Sequence, residues 1–149
     1  MSNTYLYLLI ALLAGAMIPT QAAVNNRLAI VLDSPILSAL FSFVVGTLAL
    51  FLYVLISGES ISRLASLTSA PPIALIGGLL GAFFVTATVV LIPKLGVAMT
   101  FSLVIAGQML VTLIIDHYGL LGVPVREISV ARIGGILLVI LGVILIRKY

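Results

Sequence analysis

The sequence predicts an all-α membrane protein with five transmembrane helices, and three observations carry that expectation. Of the 149 residues, 63% are hydrophobic and 7% are charged, where a water-facing domain carries about 25% charged residues. The mean hydropathy is +1.42. The apolar residues also fall into runs of roughly 20, the length of a bilayer crossing, and five such runs use about 100 residues. What remains makes short connections and no extramembrane domain.

The first run extends from Tyr5 to about Val24, contains Pro19 and Gln21, and gives way to the polar patch Asn25, Asn26 and Arg27. Met1 to Thr4 contain no Lys or Arg, which favours a retained span over a secretory signal cleaved near Thr20 to Ala23. The second run goes from Pro35 to Ile56, and a polar connection, Gly58 to Ser69, leads to Pro71 and Pro72. Proline suits the first turn of a helix, so a third run starts there and continues to Ile92. Pro93, Lys94 and Gly96 break the chain before a fourth run, Val97 to about Ile115. Asp116 to Arg126 reads as a Gly- and Pro-containing turn, and the fifth run goes from Ile128 to Ile146. The expected organisation is one transmembrane domain over residues 1–149, with spans near 5–24, 35–56, 72–92, 97–115 and 128–146.

Composition also excludes functions. The seven Lys and Arg residues are scattered apart from Arg147 and Lys148, so the pI of about 9.6 reflects scarce acids and marks no nucleic-acid partner. Without Cys, and with His117 as the single His, one chain offers no thiol nucleophile, no Cys-ligated metal and no multi-histidine zinc site. No catalytic triad or phosphate loop stands out. We expect neither an enzyme nor a bound metal or cofactor.

An odd number of spans puts the termini on opposite membrane faces. The N-terminal face then receives Arg63, Arg126 and Arg132, and the other receives Arg27, Lys94, Arg147 and Lys148. Three against four gives almost no orientation preference under the positive-inside rule. Either one loop decides the orientation, or the chain inserts both ways up and the working unit pairs opposite orientations. The second reading supplies what a short chain lacks, because many secondary transporters consist of two halves of inverted topology around a midplane site. An antiparallel homodimer of ten helices provides both halves.

Small residues four apart mark packing faces in lipid: Ser38, Ser42 and Gly46; Gly77 and Gly81, beside Gly78, Ala82 and Thr86; Ala98, Ser102 and Ala106; and Gly134, Gly135 and Gly142, the last set a candidate dimer contact. Polar residues within spans are more telling, since an unpaired one in hydrocarbon is costly. Gln21 and Asn25 share a helical face just after Pro19, which donates no hydrogen bond, frees the carbonyl of Gly15 and is expected to kink the helix. They line a pathway or bond another helix. Thr100, Gln108, Thr112 and Asp116 form a second stripe, with Gln108 near mid-span as the best candidate for substrate contact or, alternatively, for joining two helices. Asp116 and His117 are an adjacent pair able to respond to protons, or else a solvated helix end. Arg27 attracts anions at a pathway mouth or snorkels to head groups. Tyr5, Tyr7, Tyr53, Tyr118 and Tyr149 read as interface anchors.

The segments GAMIPTQAAVNNRL, FSFVVGTLAL, GGLLGAFFV, PKLGVAMTFSLVIAGQMLVTLIIDHYGLLG and GGILLVILGVIL resemble, in order and spacing, the YdcZ-like family of bacterial five-helix proteins in the drug/metabolite transporter superfamily. PTQAAVNNRL and AGQMLVTLIIDHYGLLG are the most specific pieces. The resemblance implies a small-molecule transporter of the bacterial cytoplasmic (inner) membrane, in a family whose short chains occur alone, as paired genes or as fused copies. Small multidrug exporters elsewhere in the superfamily use a buried Glu in the first helix to exchange protons for cations. Here that helix carries Gln21 and no acid.

The expected function is secondary transport by alternating access in a dual-topology homodimer, with Gln21, Asn25, Gln108 and Thr112 contacting a neutral or anionic metabolite. Arg27, Asp116 and His117 are candidates for a pathway mouth or for coupling. The rival is a non-transporting membrane subunit, a scaffold or an accessory to lipid head-group translocation.

Overall fold

The structure, a computed structural model describing residues 2–148, is helical throughout its long elements. Helix α1 spans Ser2–Leu32, α2 Pro35–Ser57, α3 the single turn Pro72–Leu75, α4 Gly77–Tyr118 and α5 Val130–Lys148. Short 3-10 segments cover Ile61–Ser69 and Leu120–Gly122. Four helical stretches are long and apolar enough to cross a membrane: Thr4–Leu32, Pro35–Ser57, Pro72–Tyr118 and Val130–Lys148. The residues divide into two compact units, Met1–Lys94 and Leu95–Tyr149.

In the first unit, α1 does not end near Val24 as its apolar run suggests. It continues through Pro19 and through Asn25, Asn26 and Arg27 to Leu32, because polar side chains alone do not end a helix whose backbone bonds remain intact. Its stop is a backbone device. Asp33 takes a left-handed φ of 49°, the Asp33 amide donates to the Ile30 carbonyl at 3.4 Å and the Ser34 amide to the Ala29 carbonyl at 3.1 Å. This pair of bonds is the Schellman arrangement, with Asp where Gly is usual. Ser34 then caps α2, its hydroxyl accepting from the Leu37 amide at 3.2 Å, and Pro35 occupies the first turn.

So short a connection makes α1 and α2 neighbours. Ala22, Asn25 and Ala29 of α1 are buried, as are Ser38 and Ala39 of α2. The Ser38 hydroxyl, wholly inaccessible, donates to the Asn25 carbonyl at 2.6 Å. A hydroxyl left unbonded there costs about 1–3 kcal/mol, so this contact fixes how α2 meets α1. The first part of α4 buries Val85, Thr88, Val89 and Ile92, a helical stripe. The expected packing row lies elsewhere in part: Gly77 and Gly78 are exposed, whereas Gly81, Ala82 and Thr86 are half-buried. At Gly81 an added Cβ lies 3.4 Å from the Phe43 ring.

The expected third and fourth runs are two helical parts of α4 that meet at a kink at Gly96, where φ is 76° and ψ 165°, with Pro93 inside the first part. The break expected over Pro93, Lys94 and Gly96 is present, and its non-helical residue is Gly96. Proline at 93 is tolerated with its own φ near helical values, while Gly96 adopts a backbone region that is essentially confined to glycine. In the second unit, the rest of α4 leads through the 3-10 turn to α5, with Thr100, Phe101 and Val143 buried. The fifth element starts at Val130 and ends at Lys148, two residues later at each end than its apolar run.

Gly96 gives a direct test. A methyl group there meets nothing within 4 Å, so Gly96→Ala carries only conformational strain, about 1–3 kcal/mol. Gly15→Ala, in an uncrowded helical position, is expected to stabilise by about 0.5–1 kcal/mol. Unfolding titrations of both variants in detergent micelles check the opposite signs.

Candidate functional site

Hydrocarbon offers no hydrogen-bond partners, so each polar side chain on a membrane helix either bonds within the protein or marks a surface that something else covers. Several hydroxyls satisfy themselves. Thr20 donates to the Ala16 carbonyl at 2.9 Å, Thr88 to Val85 at 2.9 Å and Thr100 to Gly96 at 2.7 Å. Thr100, 1% exposed, thereby drops out of the polar stripe that its spacing placed it in. Its hydroxyl belongs to the Gly96 break.

The candidate residues of the first unit separate into two environments. Gln21 lines a hollow of about 200 Å³ with Ser42, Phe43, Gly46, Thr47 and Leu50 of α2. An amide and two hydroxyl-bearing residues therefore meet an aromatic ring and aliphatic groups at the α1–α2 seam. Asn25, one turn further, is 5% exposed, and its side-chain Nδ2 is buried without a hydrogen-bond partner. Burying an amide donor in this way costs about 1–3 kcal/mol. Arg27 is exposed. Pro19 lies within α1, which stays helical around it.

In the second unit, Thr112 lines a hollow of about 330 Å³ together with Met109, Leu113, Arg132, Gly135 and Ile136. Gln108 is exposed. Among the described residues, neither the Gln21 nor the Gln108 side chain makes a hydrogen bond.

Asp116 is no isolated helix-end acid. It is ion-paired with Arg132 Nη2 of α5, and both side chains are mostly buried, at 32% exposure for Arg132 and 21% for Asp116. Arg132 Nη1 also donates to the Arg126 carbonyl at 3.1 Å, and the Arg126 amide donates to the Asp116 backbone carbonyl at 2.8 Å. One guanidinium thus ties the end of α4, the connecting loop and the start of α5. Gly119 permits the fold-back: its φ is 60°, and a Cβ there falls 2.7 Å from Val125 Cγ2. His117 does not join this network. Its ring meets Tyr118 edge to face at 4.8 Å, and Nδ1 is buried without a partner.

Sequence reasoning overlooked Arg132, which counted there only as a charge on one face. The sequence did hold a signal: a lone Arg two residues inside an apolar helix needs a counter-charge, and Asp116 is the acid at the end of the preceding span. Tyr5, Tyr7, Tyr53 and Tyr118 are all exposed, as interface anchors require, and Tyr149 lies outside the described residues. Among the described residues no group of three or more His, Cys, Asp or Glu is placed to hold a metal.

The Asp116–Arg132 pair predicts thermodynamic coupling. Asp116→Asn and Arg132→Gln each lower stability, and the double variant loses less than the two together, with a coupling of about 0.5–3 kcal/mol. A double-mutant cycle measured by unfolding in micelles checks this; additive losses mean that the two groups act independently.

The family described as "Putative inner membrane exporter, YdcZ" matches residues 6–145. No curated protein matches the chain, and no solved structure does.

Proposed function

Because the chain belongs to the YdcZ family of inner membrane exporters, a multi-pass setting in the inner membrane and a transporter role are its starting point, and we propose that it is a secondary transporter working as an antiparallel homodimer. Gln21, Asn25, Gln108 and Thr112 supply the polar contacts to substrate. The direction is outward, in keeping with the family description.

The observation that carries this reading is the pair of amides without partners. Gln21 and Gln108 sit on membrane-crossing helices, exposed and unbonded within the chain. Leaving such groups against lipid tails costs several kcal/mol each. A second copy and a polar cargo remove that cost. The unbonded Nδ2 of Asn25 supports the same view, since a donor without an internal acceptor favours a ligand that brings one.

Charge supports a neutral or anionic substrate. Helix α1 carries no acid, and Asp116 is already neutralised by Arg132, so no uncompensated carboxylate awaits a cation at these positions. The near balance of Arg63, Arg126 and Arg132 against Arg27, Lys94, Arg147 and Lys148 favours insertion in both orientations. Two identical inverted protomers exchange conformations at no net energy, so one asymmetric arrangement and its mirror give inward-open and outward-open states.

Purified protein reconstituted alone into vesicles is expected to transport members of a panel of neutral and anionic metabolites. Gln108→Leu and Gln21→Leu should each reduce transport about tenfold, the equivalent of one hydrogen bond of about 1.4 kcal/mol. Absence of transport by the unaltered protein, with a second protein co-purifying, instead identifies an accessory subunit. The topology has a separate readout. A C-terminal tag is expected to be labelled from both membrane sides, and Lys residues added to one face should fix one orientation and stop transport until a mirror variant is co-expressed. Labelling from one side alone overturns the dual topology.

A further inference from the structure

The connection between α2 and α3 contains more structure than a linker needs. Ile61–Ser69 forms a nine-residue 3-10 helix, about twice the length at which such helices usually stop. A 3-10 helix has three residues per turn, so side chains at i, i+3 and i+6 eclipse one another. Ile61, Leu64 and Leu67 occupy those positions and form one apolar ridge, 44%, 61% and 51% exposed. Ser62, Arg63, Ser66, Thr68 and Ser69 lie off it.

Two features reduce the cost of bringing this segment to an apolar boundary. All of its hydroxyls but that of Ser66 are engaged locally: Thr68 donates to the Ala65 carbonyl at 3.0 Å, Ser69 to the Ser66 carbonyl at 2.8 Å, and Ser60 and Ser62 share a 2.7 Å bond. Its charge is internally balanced, since Arg63 pairs with Glu59 at 2.8 Å on the exposed side. Between the ridge and the end of α2, where Phe51 and Val54 lie, is a hollow of about 500 Å³, which Glu59, Ser60, Arg63 and Ser66 also line. Phe51 and Val54 belong to the membrane-crossing stretch Pro35–Ser57, and the chain enters another apolar stretch at Pro72. A segment joining two such stretches lies at the level of the head groups.

We propose that Ile61–Ser69 is a lipid-seated strap: the Ile61, Leu64 and Leu67 ridge lies in the bilayer interface, and the hollow against Phe51 and Val54 takes a phospholipid acyl chain. Amphipathic segments that rely on Lys and Arg bind anionic lipids preferentially. Here the Glu59–Arg63 pair leaves no net charge, so the strap recognises hydrocarbon and is indifferent to head-group charge. Its seat fixes the depth at which α2 ends and α3 begins. The inference requires only that the flanking helices cross the membrane; it is independent of substrate and of pairing between chains.

The chain contains no Trp, so one introduced Trp is an unambiguous reporter. Ile61→Trp, Leu64→Trp and Leu67→Trp are compared with Ser62→Trp and Thr68→Trp, which lie outside the lining of the hollow, each as full-length protein in vesicles carrying bromine on the lipid acyl chains. Three ridge positions guard against any one variant failing to fold. Ridge reporters are expected to emit at shorter wavelength and to be quenched severalfold more by the brominated chains, at a depth of about 5–10 Å below the head groups, equally in phosphatidylcholine and in mixtures with phosphatidylglycerol. Ridge and polar positions quenched alike by aqueous iodide place the strap in water and overturn the proposal. Short-wavelength emission without lipid quenching means that protein covers the ridge, and quenching confined to phosphatidylglycerol vesicles means that head-group charge drives binding; either result also overturns it.

Discussion

The absence of hydrogen-bonding solvent in hydrocarbon is the constraint on which the arrangement of this chain depends. Backbone groups meet it by helix formation, which explains why α1 continues through three polar residues and past the end of its apolar run. Side chains meet it one at a time. Ser38 turns its hydroxyl to the Asn25 carbonyl across the α1–α2 seam, and Thr20, Thr88 and Thr100 turn theirs to their own helix backbone. Among the groups left without a partner are the amides of Gln21 and Gln108, the donor of Asn25 and Nδ1 of His117.

Turns in this chain are set by backbone conformation, with few residues doing the work. Asp33 in left-handed geometry closes α1 while Ser34 and Pro35 open α2. Gly96 breaks the longest helix in a conformation that other residues adopt only under strain. Gly119 lets the loop after α4 return towards Asp116, so that Arg132 reaches the carboxylate and the Arg126 carbonyl together. An Arg at the start of an apolar helix is costly without a counter-charge, which Asp116 supplies, while the Ser129 hydroxyl, accepting from the Arg132 amide at 3.3 Å, caps the start of α5. Asp116 thus forms part of a clasp within the second unit.

Much of the site was legible residue by residue, and less of it as an arrangement. Helical spacing placed Gln21 and Asn25 on one face, and the structure puts that face towards α2. Spacing also placed Thr100 in a stripe with Gln108 and Thr112, yet it says nothing about whether a hydroxyl bonds its own backbone, and Thr100 does. The Gly77 and Gly78 row was expected to pack and is exposed, because small size permits close approach without compelling it.

By itself, the sequence determined the membrane setting, the apolar helices and the polar positions within them, since hydropathy and spacing act locally along the chain. Its motifs also pointed to the family that matches residues 6–145. Only the tertiary structure decided that Ser38 bonds to the Asn25 carbonyl while the Asn25 amide is left without a partner, that Arg132 belongs to Asp116, and that Ile61, Leu64 and Leu67 share one ridge. Each of these depends on which backbone groups are already satisfied and on whether a segment coils with three residues per turn, and neither is fixed by the order of side chains alone.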